Sequence, residues 1–186
     1  NINDNNLLKN KDYIYTKKYV KSAVLCMLEP NYFTKTYDII LTLRSKKLKH
    51  HAGQISFPGG KLETNDIDYK ACAYRETKEE IGVNLSSYTY LGMLNKYLTG
   101  TGYLVQPILV LSTEKLNFLK NSNEVERILR FPLDYLLSGN NIKKIYYKKN
   151  RKELFYYSIS WREFMIWGAT AKILIDLLSI FKCSHK

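Results

Sequence analysis

Apolar residues in this chain fall into short runs parted by polar turns, and the period of each run assigns it an element. SAVLCMLE (Ser22–Glu29) and YDIILTLRS (Tyr37–Ser45) are aliphatic and β-branched, and the turn-like PNYFTKT between them predicts a strand pair. GQISFPGG (Gly53–Gly60) predicts a short strand ending in a Pro-Gly-Gly turn, then a polar loop, KLETND, whose last residue is placed to cap a helix. That helix is predicted from Asp68 to Ile81, with Gly82 at a stop position that tolerates positive φ. YTYLGMLNKYL (Tyr88–Leu98) and YLVQPILVLS (Tyr103–Ser112) predict two more strands around TGTG. PLDYLLSG (Pro132–Gly139) predicts a short helix with proline in its first turn. KKIYY and ELFYY predict a hairpin around KKNRK, and EFMIWGATAKILIDLLSIF, apolar at helical spacing, a closing helix. With neither repeat nor linker, the expectation is a polar, frayed extension over 1–19 and one domain over 20–182. Its class is α/β or α+β, with a mixed β-sheet.

Composition narrows this picture. A chain of 186 residues, 45% hydrophobic and 25% charged, buries a core without staples. It has no apolar run of about eighteen residues that would span a membrane. Cys26, Cys72 and Cys183 are scattered without metal-ligand spacing, so reduced thiols in an intracellular compartment are expected. Because the sequence opens on Asn1, it is expected to be trimmed; the cytoplasm is the expected location, with a mitochondrial or other organellar one open. The tail CSHK is not a peroxisomal address.

Charge adds one feature. With 29 Lys+Arg against 17 Asp+Glu, the net charge is +12, which favours anionic partners: nucleic acid, lipid head groups or a phosphorylated small molecule. The excess lies in loops, around Lys46, Lys47 and Lys49 and in KKIYYKKNRK, where a solvated lysine-rich face is preferred over a nucleic-acid stripe.

The candidate chemistry sits in RETKEEIGV, Arg75–Val83. On a helix, Glu76, Glu79 and Glu80 stand at i, i+3 and i+4, so one face carries three carboxylates that repel one another. A solvated acidic face is the plain reading of such a string. Converging carboxylates also hold hard divalent cations through oxygen, Mg²⁺ above all where substrate phosphates share the coordination. Arg75 is placed to orient one of them by pairing with it. Ala73, Thr77 and Ile81, spaced by four, offer a small-to-apolar face for packing on the sheet.

GG-KLETND, eight residues, then RETKEEIGV resembles the signature box of the Nudix hydrolases. Two features depart from the common pattern: Asp66 stands where glutamate is usual, and eight residues instead of seven separate it from Arg75. The upstream segment is more particular. Leu41-Thr42-x-Arg44-Ser45, Lys49, Gly53 and Phe57-Pro58-Gly59-Gly60 resemble the extra motif of the coenzyme A diphosphatase branch. That branch usually has arginine at the place of Lys49 and two leucines at those of Ile40 and Leu41, and it shares the longer box. GYLVQPILV (Gly102–Val110) and IWGATAKIL (Ile166–Leu174) fit it too, so the resemblance runs from about Val20 to Phe181.

The resemblance implies an α/β/α sandwich with a mixed sheet, and Mg²⁺- or Mn²⁺-dependent hydrolysis of the diphosphate of coenzyme A or acyl-CoA. The products are 3′,5′-ADP and 4′-phosphopantetheine or its acyl form. Glu76, Glu79 and Glu80 would be the metal ligands and Arg75 their orienting partner. Arg44, Ser45, Lys49, Gly59 and Gly60 would contact substrate, with a bracing role for Arg44 and a solvated one for Lys49 left open. Glu124 in NSNEVERILRFPL is the candidate general base beside the box glutamates, Glu126 a weaker one. Another Nudix substrate (NADH, ADP-ribose, an oxidised nucleotide, capped RNA), an inactive nucleotide-binding module and a homodimer stay open as alternatives.

Overall fold

The computed structural model describes residues 19–83, 88–149 and 151–183. Residues 1–18, nearly all of the expected extension, and Asn150 at the tip of the expected hairpin lie outside the described residues. Eleven strands and three helices follow in chain order. They are β1 Val20–Asn31, β2 Thr36–Arg44, β3 Ile55–Ser56, β4 Gly59–Lys61, α1 Tyr69–Ile81, β5 Tyr88–Met93 and β6 Tyr97–Leu98. Next come β7 Tyr103–Ser112, β8 Val125–Pro132, α2 Leu133–Ser138, β9 Ile142–Lys149, β10 Lys152–Trp161, β11 Phe164–Trp167 and α3 Gly168–Cys183.

β1 is the spine. Along one edge it runs parallel to β7, from Val20↔Tyr103 to Leu28↔Leu111. Its other edge is shared: Leu28–Asn31 pair with β2, and Ser22–Val24 pair with β4. β3 and β8 flank β2, and β5 and β6 flank β7, all antiparallel, so the sheet is mixed as expected. Alternation along the strands sorts side chains to two cores. Ala23, Leu25 and Met27 face one core, closed by Cys72, Ala73 and Ile81 of α1. Cys26, Leu28, Ile39 and Leu41 face the other, closed by Leu174, Leu177 and Leu178 of α3. Helices thus cover both faces of one sheet, an α+β domain in three layers. A second sheet, in the order β11-β10-β9, packs with α3 through Ile159, Trp161 and Ile166.

Four details depart from the sequence expectations. Gly59 and Gly60 do not form a turn; they are the first residues of β4, bonded to β1. Asp68, not Asp66, caps α1, its Oδ1 accepting from the Ala71 N–H at 2.7 Å. EVERILRF contains β8, where Val125, Leu129 and Phe131 turn inward between charged residues. The closing helix starts at Gly168, whose φ of 64° breaks the chain after β11. The stretch before it pairs with β10.

Glu29 of β1 is a buried charge with full compensation. It accepts from the Leu116 N–H at 2.7 Å and from Arg130 Nε and Nη2 of β8. Glu29→Ala would strand Arg130. We expect a loss of about 3 kcal/mol in urea denaturation, the low end for breaking a buried pair, because Arg130 keeps 35% of its side chain exposed.

Candidate active site

The site forms where α1 crosses the split edge of β1. Cys72, Ala73, Thr77 and Ile81 anchor the helix on the sheet, and Thr77 returns its hydroxyl to the Ala73 carbonyl at 2.7 Å. The helix stops at Gly82, where φ is 71° and a β-carbon would meet Leu119 O at 2.7 Å. The segment after β7 docks on this end: Leu119 N–H donates to Ile81 O and Asn121 N–H to Glu80 O, both at 2.9 Å.

The three glutamates, expected to converge, face three different environments. Glu80 is 2% exposed, inside the site rather than on a solvated face. Its Oε2 accepts from the Gly59 N–H at 3.1 Å, and its Oε1 lies 3.5 Å from Arg44 Nη1. Burial pushes its carboxyl up to about 8; Gly59 and Arg44 oppose the shift, while Glu76 and Glu124 add to it. Glu76 is raised too, chiefly by burial, against the pull of Arg75. Glu79 is the exposed member, with 53% of its side chain in water.

Arg75 joins two of them. Nη1 donates to Glu76 Oε1 at 3.1 Å and to Glu79 Oε2 at 3.3 Å. Its other edge forks onto Asp66, Nε to Oδ1 at 3.0 Å and Nη2 to Oδ2 at 2.9 Å, and holds Asp66 below the usual carboxylate range. The extra residue in the box therefore leaves Asp66 able to anchor the arginine.

Two glycines permit close approaches, Gly60 to the Glu76 carboxylate and Gly59 to the β1 backbone. A β-carbon on Gly60 would sit 2.3–2.4 Å from the Glu76 carboxyl atoms. One on Gly59 would meet Ala23 O at 2.3 Å, and its φ of 149° disfavours a side chain in any case. Glu124 enters from the loop before β8, its Oε1 accepting from Asn121 Nδ2 at 3.3 Å. Its charge raises both Glu76 and Glu80, so a residue far away in sequence belongs to the same cluster. Ser45 is buried, and its N–H donates to Glu124 O at 2.8 Å. This bond braces that loop. Lys49, His50 and His51 lie exposed on the loop after β2. Sequence reasoning missed the Gly59 N–H and Asn121; only the Gly-Gly pair and the asparagine's nearness to Glu124 hinted at them.

Residues 19–150 match the NUDIX domain family. The chain is a Nudix hydrolase. An uncharacterized Nudix hydrolase, NudL, of Photorhabdus laumondii is 34% identical over 139 residues, covering 75% of this chain and 74% of that one. The mitochondrial Nudix hydrolase 15 of Arabidopsis thaliana is 35% identical over 165 residues, 86% of this chain and 57% of its own. Among solved structures, the RenU Nudix hydrolase of M. smegmatis superposes with a TM-score of 0.54 at 15% identity, over 64% of this chain and 74% of its own. A C. elegans Ap4A hydrolase gives 0.52 at 17%, over 61% and 80%. These two likenesses concern the fold.

Nudix hydrolases generally use divalent ions such as Mg²⁺ or Mn²⁺, and the donor set suits one: oxygen only, crowded with like charge, with a buried carboxylate that lacks full compensation. Among the described residues no three acidic, His or Cys side chains are gathered closely enough as they stand to enclose an ion. Arg75 draws Glu76 and Glu79 to itself, and Glu80 turns to Gly59. Since Glu76, Glu79 and Glu80 share adjacent turns, side-chain rotation separates this arrangement from a common ligand set.

Glu80 makes stability pH-dependent in a definite direction. Its folded value of about 8 lies above the ordinary 4.5, so the fold favours the protonated form. That contribution is full below about 4.5 and is lost as pH rises through about 8. In chelator, the melting temperature should fall over this interval, and Glu80→Gln, neutral throughout, should flatten the fall in a thermal-shift pH series. An equal fall in both proteins would contradict the assignment. Gly60→Ala should leave the melting temperature within a few degrees while displacing Glu76, with activity down on the order of a hundredfold.

Proposed function

We propose that this Nudix hydrolase cleaves the diphosphate bond of coenzyme A or an acyl derivative, releasing 3′,5′-ADP and 4′-phosphopantetheine or its acyl form. One observation carries this: Arg44, from the Leu41-Thr42-x-Arg44-Ser45 segment, reaches the carboxylate cluster with a buried Nε that has no hydrogen-bond partner. An arginine with a spare donor beside a diphosphate-cleaving site is suited to fork onto phosphate. The exposed Lys46, Lys47 and Lys49 on the following loop supply further positive charge for a substrate with three phosphates.

In this reading Glu76, Glu79 and Glu80 hold Mg²⁺ or Mn²⁺, which when bound polarises the diphosphate and makes water a better nucleophile. Arg75 gives up its contacts to Glu76 and Glu79 and stays anchored on Asp66. Arg44 orients the diphosphate or the 3′-phosphate, and Lys49 screens it from solvent. Gly59 and Gly60 would contact the substrate through their backbone, Gly60 letting the Glu76 carboxylate lie close against the strand. Glu124, oriented through Oε1 by Asn121, takes a proton from the attacking water on Oε2. An intracellular location, cytoplasmic or organellar, belongs to the proposal, supported by the mitochondrial label of the Arabidopsis relative. No helix among the described residues is long and apolar enough to cross a membrane.

Chromatography of products after incubation with coenzyme A and Mg²⁺ tests the reading; comparable turnover of coenzyme A, NADH and capped RNA would contradict it. Glu79→Gln, at an exposed position, should fold normally and lose activity by on the order of a hundredfold or more. Arg44→Ala should raise KM for coenzyme A about tenfold or more. The same loss with dephospho-coenzyme A places Arg44 on the diphosphate, whereas a loss confined to coenzyme A places it on the 3′-phosphate.

A further inference from the structure

The three-stranded sheet β11-β10-β9 lies outside the catalytic cluster, and its exposed chemistry is not used by the reaction. Cross-strand partners share a face of an antiparallel sheet, so the register separates its side chains cleanly. Ile159, Trp161 and Ile166 point to the core. On the same side, Tyr146 lies opposite Phe155, and Lys144 Nζ sits 3.8 Å from the centre of the Phe155 ring. The other side carries a diagonal row, one ring per strand: Tyr147 of β9, Tyr156 of β10 and Trp167 of β11. Successive centroids are 6.0 and 6.1 Å apart. Tyr147 is 43% exposed and Trp167 46%, so an aromatic surface faces solvent. Lys143 shares this face, in line with Ser158 and Trp167.

Charge selects the occupant. The hairpin stretch KKIYYKKNRKE holds six cations and a single carboxylate, and the register sets Lys143 on the ring face while Lys144 and Lys148 lie on the opposite one. A second copy of this chain would bring two such hairpins together, and lysines on the open β9 edge oppose strand addition. An apolar protein partner has no use for the lysines. A single strand of nucleic acid uses both features, bases on rings and phosphates on cations. Neighbouring rings are tilted by 56° and 63°, so each presents its own face, which unpaired bases are free to turn onto and stacked duplex bases are not. Hydroxyls from Tyr147, Tyr156 and the exposed Ser160 on the same face suit a ribose 2′-OH.

We infer that the Tyr147–Tyr156–Trp167 face with Lys143 is a binding platform for single-stranded RNA, separate from the hydrolytic site. The test is anisotropy of a labelled single-stranded RNA of about ten nucleotides, titrated with the whole chain at several salt concentrations. The same sequence as DNA and as duplex RNA runs alongside. Single-stranded RNA should bind most tightly. Tyr147→Ala and Trp167→Ala should each weaken it about five- to a hundredfold, whereas Tyr147→Phe and Trp167→Phe keep most of the affinity. Lys143→Gln should lower the slope of log affinity against log salt by about 0.7. Coenzyme A turnover, or turnover of whichever diphosphate the enzyme cleaves, should not change in these variants. If Trp167→Ala unfolds, the Tyr147 and phenylalanine variants decide. Absence of binding, RNA binding that ignores both aromatic positions, or equal binding of the three nucleic acids would overturn the inference. So would concentration-dependent self-association in light scattering that Tyr147→Ala abolishes, which would make the face a contact between copies.

Discussion

The site is organised around a carboxylate in a place that water does not reach. Glu80 is buried at the crossing of α1 with the split edge of β1, and three separate segments are held in position by it or for it. Gly59 at the start of β4 gives its N–H, Arg44 at the end of β2 gives its guanidinium, and Asn121 grips the Glu80 carbonyl. Glu124 is carried in on the loop that Asn121 closes. A buried carboxylate with one backbone donor and one arginine at 3.5 Å is only partly compensated, which is why its proton affinity rises. The same deficit is what a cation would offset in the proposed reaction.

Division of labour along α1 follows from its geometry. Cys72, Ala73, Thr77 and Ile81 go to the sheet, so the glutamates are presented at graded depth: Glu80 inside, Glu76 at the margin, Glu79 in water. Arg75 sits on the wall between Asp66 and two glutamates and uses both edges of its guanidinium. Asp66 is the fixed end of this arrangement. Its grip from the loop holds Arg75 independently of the glutamates. Beneath lies Cys72, its thiol pushed up to about 12 chiefly by burial and directed at the Gly60 and Lys61 carbonyls, an inert neighbour of the site.

Around this centre the domain separates chemistry from surface. The parallel β1–β7 pairing and the two cores make a floor, and the residues of the site come from α1 on that floor, from the ends of β2 and β4, and from the loop before β8. The second sheet is joined to that floor through α3 and the Thr170 hydroxyl, which donates to Ile55 O at 3.0 Å. Its inner side packs on the core through Ile159, Trp161 and Ile166, with Ile142, Tyr157 and Phe164 against them, while Tyr147 and Trp167 on the outer side stay exposed.

Strand pairs with clear alternation, the α1 helix with its glycine stop, and the acidic string itself were legible in the sequence, because each is written in local periods and local chemistry. β8 was not legible: Glu126, Arg127 and Arg130 interrupt its inward row of Val125, Leu129 and Phe131, and only pairing with β2 makes it a strand. β11 was absorbed into the helix after it, since a wholly apolar FMIW cannot show which period it obeys until β10 pairs with it and Gly168 turns the chain. The glutamates proposed to carry the chemistry are picked out by their spacing along one helix. How deep each carboxylate lies, that Asp66 holds Arg75 in addition to Glu76 and Glu79, and that Glu124 joins Glu76 and Glu80 were decided only by the tertiary structure. Burial and electrostatic compensation are properties of segments brought together in space, and no local stretch of chain contains them.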